Sequence, residues 1–145
     1  MKAAITFVLM LVASASAEAS DPLGLLIGAS DLIVIGEITD SPTGIMLEAG
    51  VMHWLCHVRV SKVLKGAAPK QEALYVDVVR YGWEKDRPHY LKKGGHCILF
   101  LKRAGIKAKP MWETVDVWFG IQPNNESMAR ELVLRSKRET VRKGE

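Results

Sequence analysis

The sequence predicts one small domain, mainly β, that ends in a single α-helix. Three observations carry that expectation. Apolar segments of strand length recur along the chain, several with a two-residue alternation and rich in Val, Ile, Tyr and Trp. Turn residues punctuate them, as in Asp40-Ser41-Pro42-Thr43-Gly44 and Lys65-Gly66-Ala67-Ala68-Pro69. Past Pro123 the period becomes helical, with Met128, Ala129, Leu132 and Val133 on one stripe. A chain of 145 residues suits one domain with a real core.

The elements follow in chain order. Met1-Lys2, the apolar run over 3–12 and the small residues over 13–17 form the three zones of a secretory signal. Ala15-Ser16-Ala17 fits the A-x-A cleavage rule. The apolar run is shorter than the ~20 residues a membrane-spanning helix needs. The expected organisation is a signal over 1–17 and one domain over 18–145, secreted or periplasmic, with no transmembrane segment after cleavage.

Residues 22–30 (PLGLLIGAS) read as one or two helical turns. The β-branched run DLIVIGEIT, from Asp31, reads as a buried strand in which Gly36 marks a bulge or tight bend. Residues 45–64 are long for one strand, so they form two or curve sharply near Ala49-Gly50. From His53 onward, Trp54, Cys56, Val58 and Val60 take the core face. His53, Leu55, His57, Arg59 and Ser61 take the other. Residues 73–81 alternate likewise, with Leu74, Val76 and Val78 against Tyr75, Asp77 and Val79. Residues 82–95 form a polar loop holding Trp83 and Tyr90. HCILFLK, over 96–102, is apolar enough for a central strand. Residues 111–119 read as the last strand, with Val115, Val117 and Phe119 on one side and Trp112, Thr114, Asp116 and Trp118 on the other. Asn124-Asn125 supplies an N-cap for the helix, and the closing VRKGE is expected to fray.

About five strands and a terminal helix in this length fit a small Greek-key barrel of OB type, with a small β-sandwich as the alternative. The order of DLIVIGEI, VRVSKVLKG, GGHCILFLK and a helix opening at NNES resembles small secreted bacterial domains of the netrin-like, or tissue-inhibitor-of-metalloproteinase-like, type. The resemblance spans nearly all of the chain after the signal and implies an OB barrel. Inhibitors of that type reach the protease metal with a Cys at the mature amino terminus. Here the mature chain would begin Glu18-Ala19-Ser20, so neither that activity nor its residues are implied.

The candidate chemistry centres on few residues. In an oxidising compartment Cys56 and Cys97 read first as a disulfide, whose closure would contribute ~4 kcal/mol by chain entropy. Two free core thiols are the other reading. His53, Cys56, His57, His96 and Cys97 are all metal-ligand types. Strand alternation, however, turns Cys56 away from His57 and Cys97 away from His96. It also separates His53 from His57 by ~13 Å. Only a cross-strand meeting of Cys56, His57, His96 and Cys97 would build a metal site or a Cys–His enzyme. No G-x-S-x-G and no phosphate-loop motif occurs. Asp77, Glu84, Asp86, Glu113 and Asp116 show no spacing that separates them from surface carboxylates. No catalytic residue and no cofactor is expected.

The aromatic residues are more informative. Trp83, Tyr90, Trp112 and Trp118 are the expected contact residues, since exposed aromatics mark binding patches. The competing expectation is that the terminal helix packs over that face and buries Trp112 and Trp118. A formal net charge of +4 points only weakly to anionic partners; Arg59, Arg80, Arg87, Lys92 and Lys93 would supply the charge. Asn125-Glu126-Ser127 is a glycosylation sequon that matters only in a eukaryotic secretory pathway. The function expected is a secreted, non-enzymatic binding domain for a protein or envelope component. The alternatives are a binder of nucleic acid or another anionic polymer, against which the export signal counts, and a metal- or thiol-dependent enzyme.

Overall fold

The computed structural model describes residues 21–106 and 109–144; the signal over 1–17 lies outside them. The chain opens with helix α1 (Pro22–Ala29). Pro22 starts it, and the Asp21 carboxylate accepts the Gly24 N–H at 3.1 Å as the N-cap. Strands β1 (Leu32–Ile38), β2 (Thr43–Glu48), β3 (Val51–Lys65), β4 (Ala73–Tyr81), β5 (His96–Ile106), β6 (Lys109–Thr114) and β7 (Ile121–Pro123) follow, then helix α2 (Glu126–Gly144). The protein is thus mainly β with a carboxyl-terminal helix.

The strands form one mixed sheet in which five close a ring, in the order β1-β3-β4-β6-β5 and back to β1. The pairs within it are antiparallel except β4 with β6, which is parallel. β2 extends the sheet from β3, and β7 extends it from β5. The 45–64 region therefore makes two strands, divided at Gly50, whose φ of 79° a turn requires and Gly adopts without strain. The β1–β3 register shifts between Ile35 and Gly36. A Cβ on Gly36 would run into the Val58 side chain and sit 3.1 Å from the Arg59 carbonyl. The glycine marks a bulge, as its place inside a strand predicts.

Alternation decides the core. Trp54, Cys56 and Val58 point into the ring with Leu74, Val76 and Val78, all buried. β1 and β5 are buried on both faces. Leu32, Val34, Cys97, Leu99 and Leu101 fill the ring. Ile33, Ile98 and Phe100 lie outside it, under Ile27 of α1 and Ala129 and Leu132 of α2. Two-sided burial is why these two strands read as continuous apolar runs rather than alternating ones. The α2 stripe packs as its spacing predicts, and Asn125 caps the helix by accepting the Met128 N–H at 3.0 Å.

Two expectations are corrected. Residues 111–119 are not one strand: β6 ends at Thr114. The Asp116 carboxylate accepts the N–H groups of Trp118 and Phe119, both at 2.8 Å, and folds the chain into a turn before β7. Cys56 and Cys97 are free thiols, not a disulfide. They lie on β3 and β5, with β1 between them. Cys97 sits opposite Gly36, and Gly36 opposite Val60, four residues along β3 from Cys56. Two strand spacings alone are ~10 Å, beyond the ~7 Å that a disulfide spans between Cα atoms.

Candidate binding face

The outward side chains of β2, β3 and β4 form one continuous face. Register places Ile45 opposite His53, Leu55 opposite Asp77, His57 opposite Tyr75, and Val51 opposite Tyr81. Tyr75 is 62 % exposed, and Ile45, Leu55 and Tyr81 are exposed as well. From Tyr75 to Tyr81 the face is ~20 Å long.

At one end three turns meet. The Tyr81 N–H donates to the Val117 carbonyl at 3.3 Å, and the Gly82 N–H to the Gly50 carbonyl at 2.9 Å. The first bond sets Trp118 beside Tyr81, with ring centroids 5.1 Å apart. Trp83, Trp118 and Phe119 are all more than half exposed there, at 53 %, 56 % and 51 %. At the other end is a pocket of about 310 Å³ lined in part by Asp40, Thr43, Leu55, His57, Tyr75 and Met111. His57 Nδ1 lies 2.8 Å from Asp40 Oδ2, and the Tyr75 ring meets the imidazole edge-on at 4.4 Å. Between the two ends, His53 Nδ1 lies 2.9 Å from Asp77 Oδ2. These contacts hold both imidazoles in the sheet surface rather than free above it.

The four expected contact residues do not form one cluster. Trp83 and Trp118 reach the surface at the turn end of the face. Tyr90 is half-buried and donates its O–H to the Ile121 carbonyl at 3.2 Å; burial pushes its phenol above the ordinary range. Trp112 is half-buried against the ring's core, with the Arg103 guanidinium 5.5 Å from its ring centre. The helix covers neither Trp112 nor Trp118, because its stripe is used on β1 and β5. Ile45, Tyr75 and Tyr81 were missed. Alternation had already turned Tyr75 outward, but nothing in the sequence tells which outward faces remain uncovered.

The cross-strand Cys and His arrangement is not formed. Cys56 and Cys97 point into the core, where their S–H groups face the carbonyls of Trp54 and Gly36. His57 points outward to Asp40, and His96 is exposed opposite Glu37 of β1. Among the described residues no three or more His, Cys, Asp and Glu are grouped to hold a metal ion. Burial pushes both thiols up to about 12, so neither is a thiolate near neutrality. The carboxylates are engaged locally: Asp77 with His53, Asp86 on the Trp83 N–H, Glu113 with Lys102, and Asp116 in its turn. Comparison with protein-family models and with curated proteins finds no match for the chain.

Proposed function

We propose that the chain is a secreted or periplasmic, non-enzymatic binding domain that takes a protein or envelope component on the outer face of β2, β3 and β4. The observation that carries this reading is the uncovered row of Ile45, Leu55, Tyr75 and Tyr81, with Trp118 beside it, where the opposite side of β3 and β4 is core. Exposed apolar and aromatic side chains on one face mark an interaction surface, and Tyr and Trp are favoured as interface hot spots. Export rests on the three zones over 1–17. Among the described residues no helix is long and apolar enough to cross a membrane.

The finer fold reading is an OB-type Greek-key barrel, netrin-like in its terminal helix. It is supported by the spatial order β5-β1-β3-β4, in which the fourth ring strand returns beside the first. In OB folds the second and third strands form the binding face; here they are β3 and β4. An anionic polymer suits this face less well. Of the basic residues at outward positions on these three strands, Arg59 is paired with Glu37, and Lys62 lies beyond it toward the far end of β3. Asp40 and Asp77 add negative charge at the same face.

The test compares Tyr75→Ala, Tyr81→Ala and Trp118→Ala with the wild-type chain exported to a periplasm and cross-linked there. Each substitution is at an exposed site, so thermal unfolding should move little, within about 0.5 kcal/mol. Partner retention should fall at least tenfold for one or more of them. Retention equal to wild type in all three folded variants would sink the reading. Capture only on a polyanion, with a steep salt dependence, would favour the anionic-polymer alternative.

A further inference from the structure

One edge of β2 is unused. The strand pairs with β3 along one side, and among the described residues no strand pairs with its other side. All six of its residues are exposed, with Ile45, Met46 and Leu47 at 41 %, 37 % and 70 %. Proteins commonly blunt such an edge with Lys, Pro or a covering segment, and residues 43–48 hold neither Lys nor Pro.

Register identifies the free backbone groups. The Thr39 N–H donates to the His57 carbonyl at 3.0 Å, so the His57 backbone faces the edge of β3 that β1 and β2 share. Unbroken pairing with β4 keeps β3 regular from Val51 to Arg59, and backbone groups alternate between the two edges of a strand. His53 and Leu55 therefore face β2, opposite Ile45 and Thr43. Gly44 and Met46 turn their N–H and C=O groups to the open side. Such a row of donors and acceptors is matched by another extended backbone, which adds to the sheet as a strand.

The charge at this edge says which kind of strand. Residues 40–50 carry Asp40 and Glu48 and no Lys or Arg. Glu48 is exposed opposite Val51 on the outer face and has no ion pair among the described residues. Arg87 lies on the inner side, 5.4 Å from the Trp54 ring centre. A second copy of β2, paired antiparallel about a two-fold axis, would bring each Glu48 to the Asp40 end of the other, and like charges across a strand pair repel. A basic segment of another chain meets no such penalty. Given that the β2–β3–β4 face takes a protein, as proposed above, we infer that the partner adds an extended segment to β2, with its backbone on Gly44 and Met46 and a Lys or Arg opposite Glu48.

The probe is acetyl-Lys-Val-Thr-Val-Thr-Val-Lys-amide, titrated into the full domain and followed by amide hydrogen exchange in NMR spectra. Saturable binding should slow exchange at Gly44 and Met46 about tenfold or more, as their N–H groups become bonded, and leave Ile45 unchanged. The same peptide with Glu in place of both Lys should bind about threefold more weakly or worse. Met46→Pro removes an outward donor and no bond to β3, so it should abolish binding. Met46→Ala keeps that donor and should retain it. Absence of saturable binding, unchanged exchange at both amides, or equal binding by Met46→Pro would each overturn the inference. So would equal or tighter binding of the Glu peptide, or self-association of the domain that Met46→Pro abolishes. In the periplasmic cross-linking test, partner loss by Tyr75→Ala but not by Met46→Pro would overturn the added strand and leave the aromatic face. Loss by neither would overturn both.

Discussion

Cys56 and Cys97 differ from exposed cysteines chiefly in the water they have lost. Each is buried on the inner side of the ring, and desolvation of the charged form is the leading cause of its high pKa. For Cys56, the charge of Cys97 adds to the effect. The direction fixes a pH dependence. A thiol whose folded pKa is raised keeps its proton in the native state while the unfolded chain loses it. Its contribution is therefore fully present below about pH 9 and is lost as pH rises toward about 12. Denaturant unfolding between those values should show stability falling more steeply in wild type than in a Cys56→Ala/Cys97→Ala variant. Native protein at pH 8 should resist iodoacetamide, and unfolded protein should be alkylated at both positions. Rapid native labelling would contradict the burial. At this scale alternation had placed Cys56 correctly in the core. The disulfide expectation failed because pairing depends on which strands are neighbours, and two cysteines in a sequence do not specify that.

Strand and helix behaviour was largely readable from local pattern. β3 and β4 bury Trp54, Cys56, Val58, Leu74, Val76 and Val78 because a two-residue period puts them on one side. Gly36 was readable as a bulge because its missing side chain leaves room for Val58 and the Arg59 backbone. Gly36→Ala is expected to destabilise the domain by about 1–3 kcal/mol through overpacking, measured by urea unfolding; an unchanged midpoint would show that β1 shifts freely. The last strand was misread for a physical reason. Residues 115–119 alternate in polarity, but the Asp116 side chain captures two backbone N–H groups and diverts the chain. A local hydrogen bond outcompeted the ladder, and the alternation carries no trace of it.

For the molecule as a whole, two apolar layers share β1 and β5. The ring interior is one, and the layer beneath α1 and α2 is the other. Lys65 on the α1 carbonyl of Ile27 and Arg135 on Asp21, at 2.8 Å, link the two helices to each other and to β3. The second layer depends on Leu132, which is fully buried. Leu132→Ala should cost about 2–5 kcal/mol and leave the exposed row of Ile45, Leu55, Tyr75 and Tyr81 unaltered, since Leu132 packs in the separate layer with Ile33, Ile98 and Phe100. Calorimetry would check the first part, and unchanged partner retention by the folded fraction the second. Loss of retention with the fold intact would mean the two sides are coupled.

By itself the sequence determined the class, mainly β with a terminal helix, the core-facing residues of β3 and β4, the burial of β1 and β5, and the α2 stripe and its Asn125 cap. These follow from periodicity and capping, which act over a few residues and so are written locally. The tertiary structure alone decided that β5 returns to β1 and closes a ring, that Cys56 and Cys97 stand on non-adjacent strands, and that α2 covers Ile33, Ile98 and Phe100 rather than Trp112 and Trp118. It also decided that Tyr75, Tyr81 and Trp118 come together uncovered. Those outcomes depend on which distant segments pack against each other, and that choice is made by the whole buried surface rather than by any local pattern.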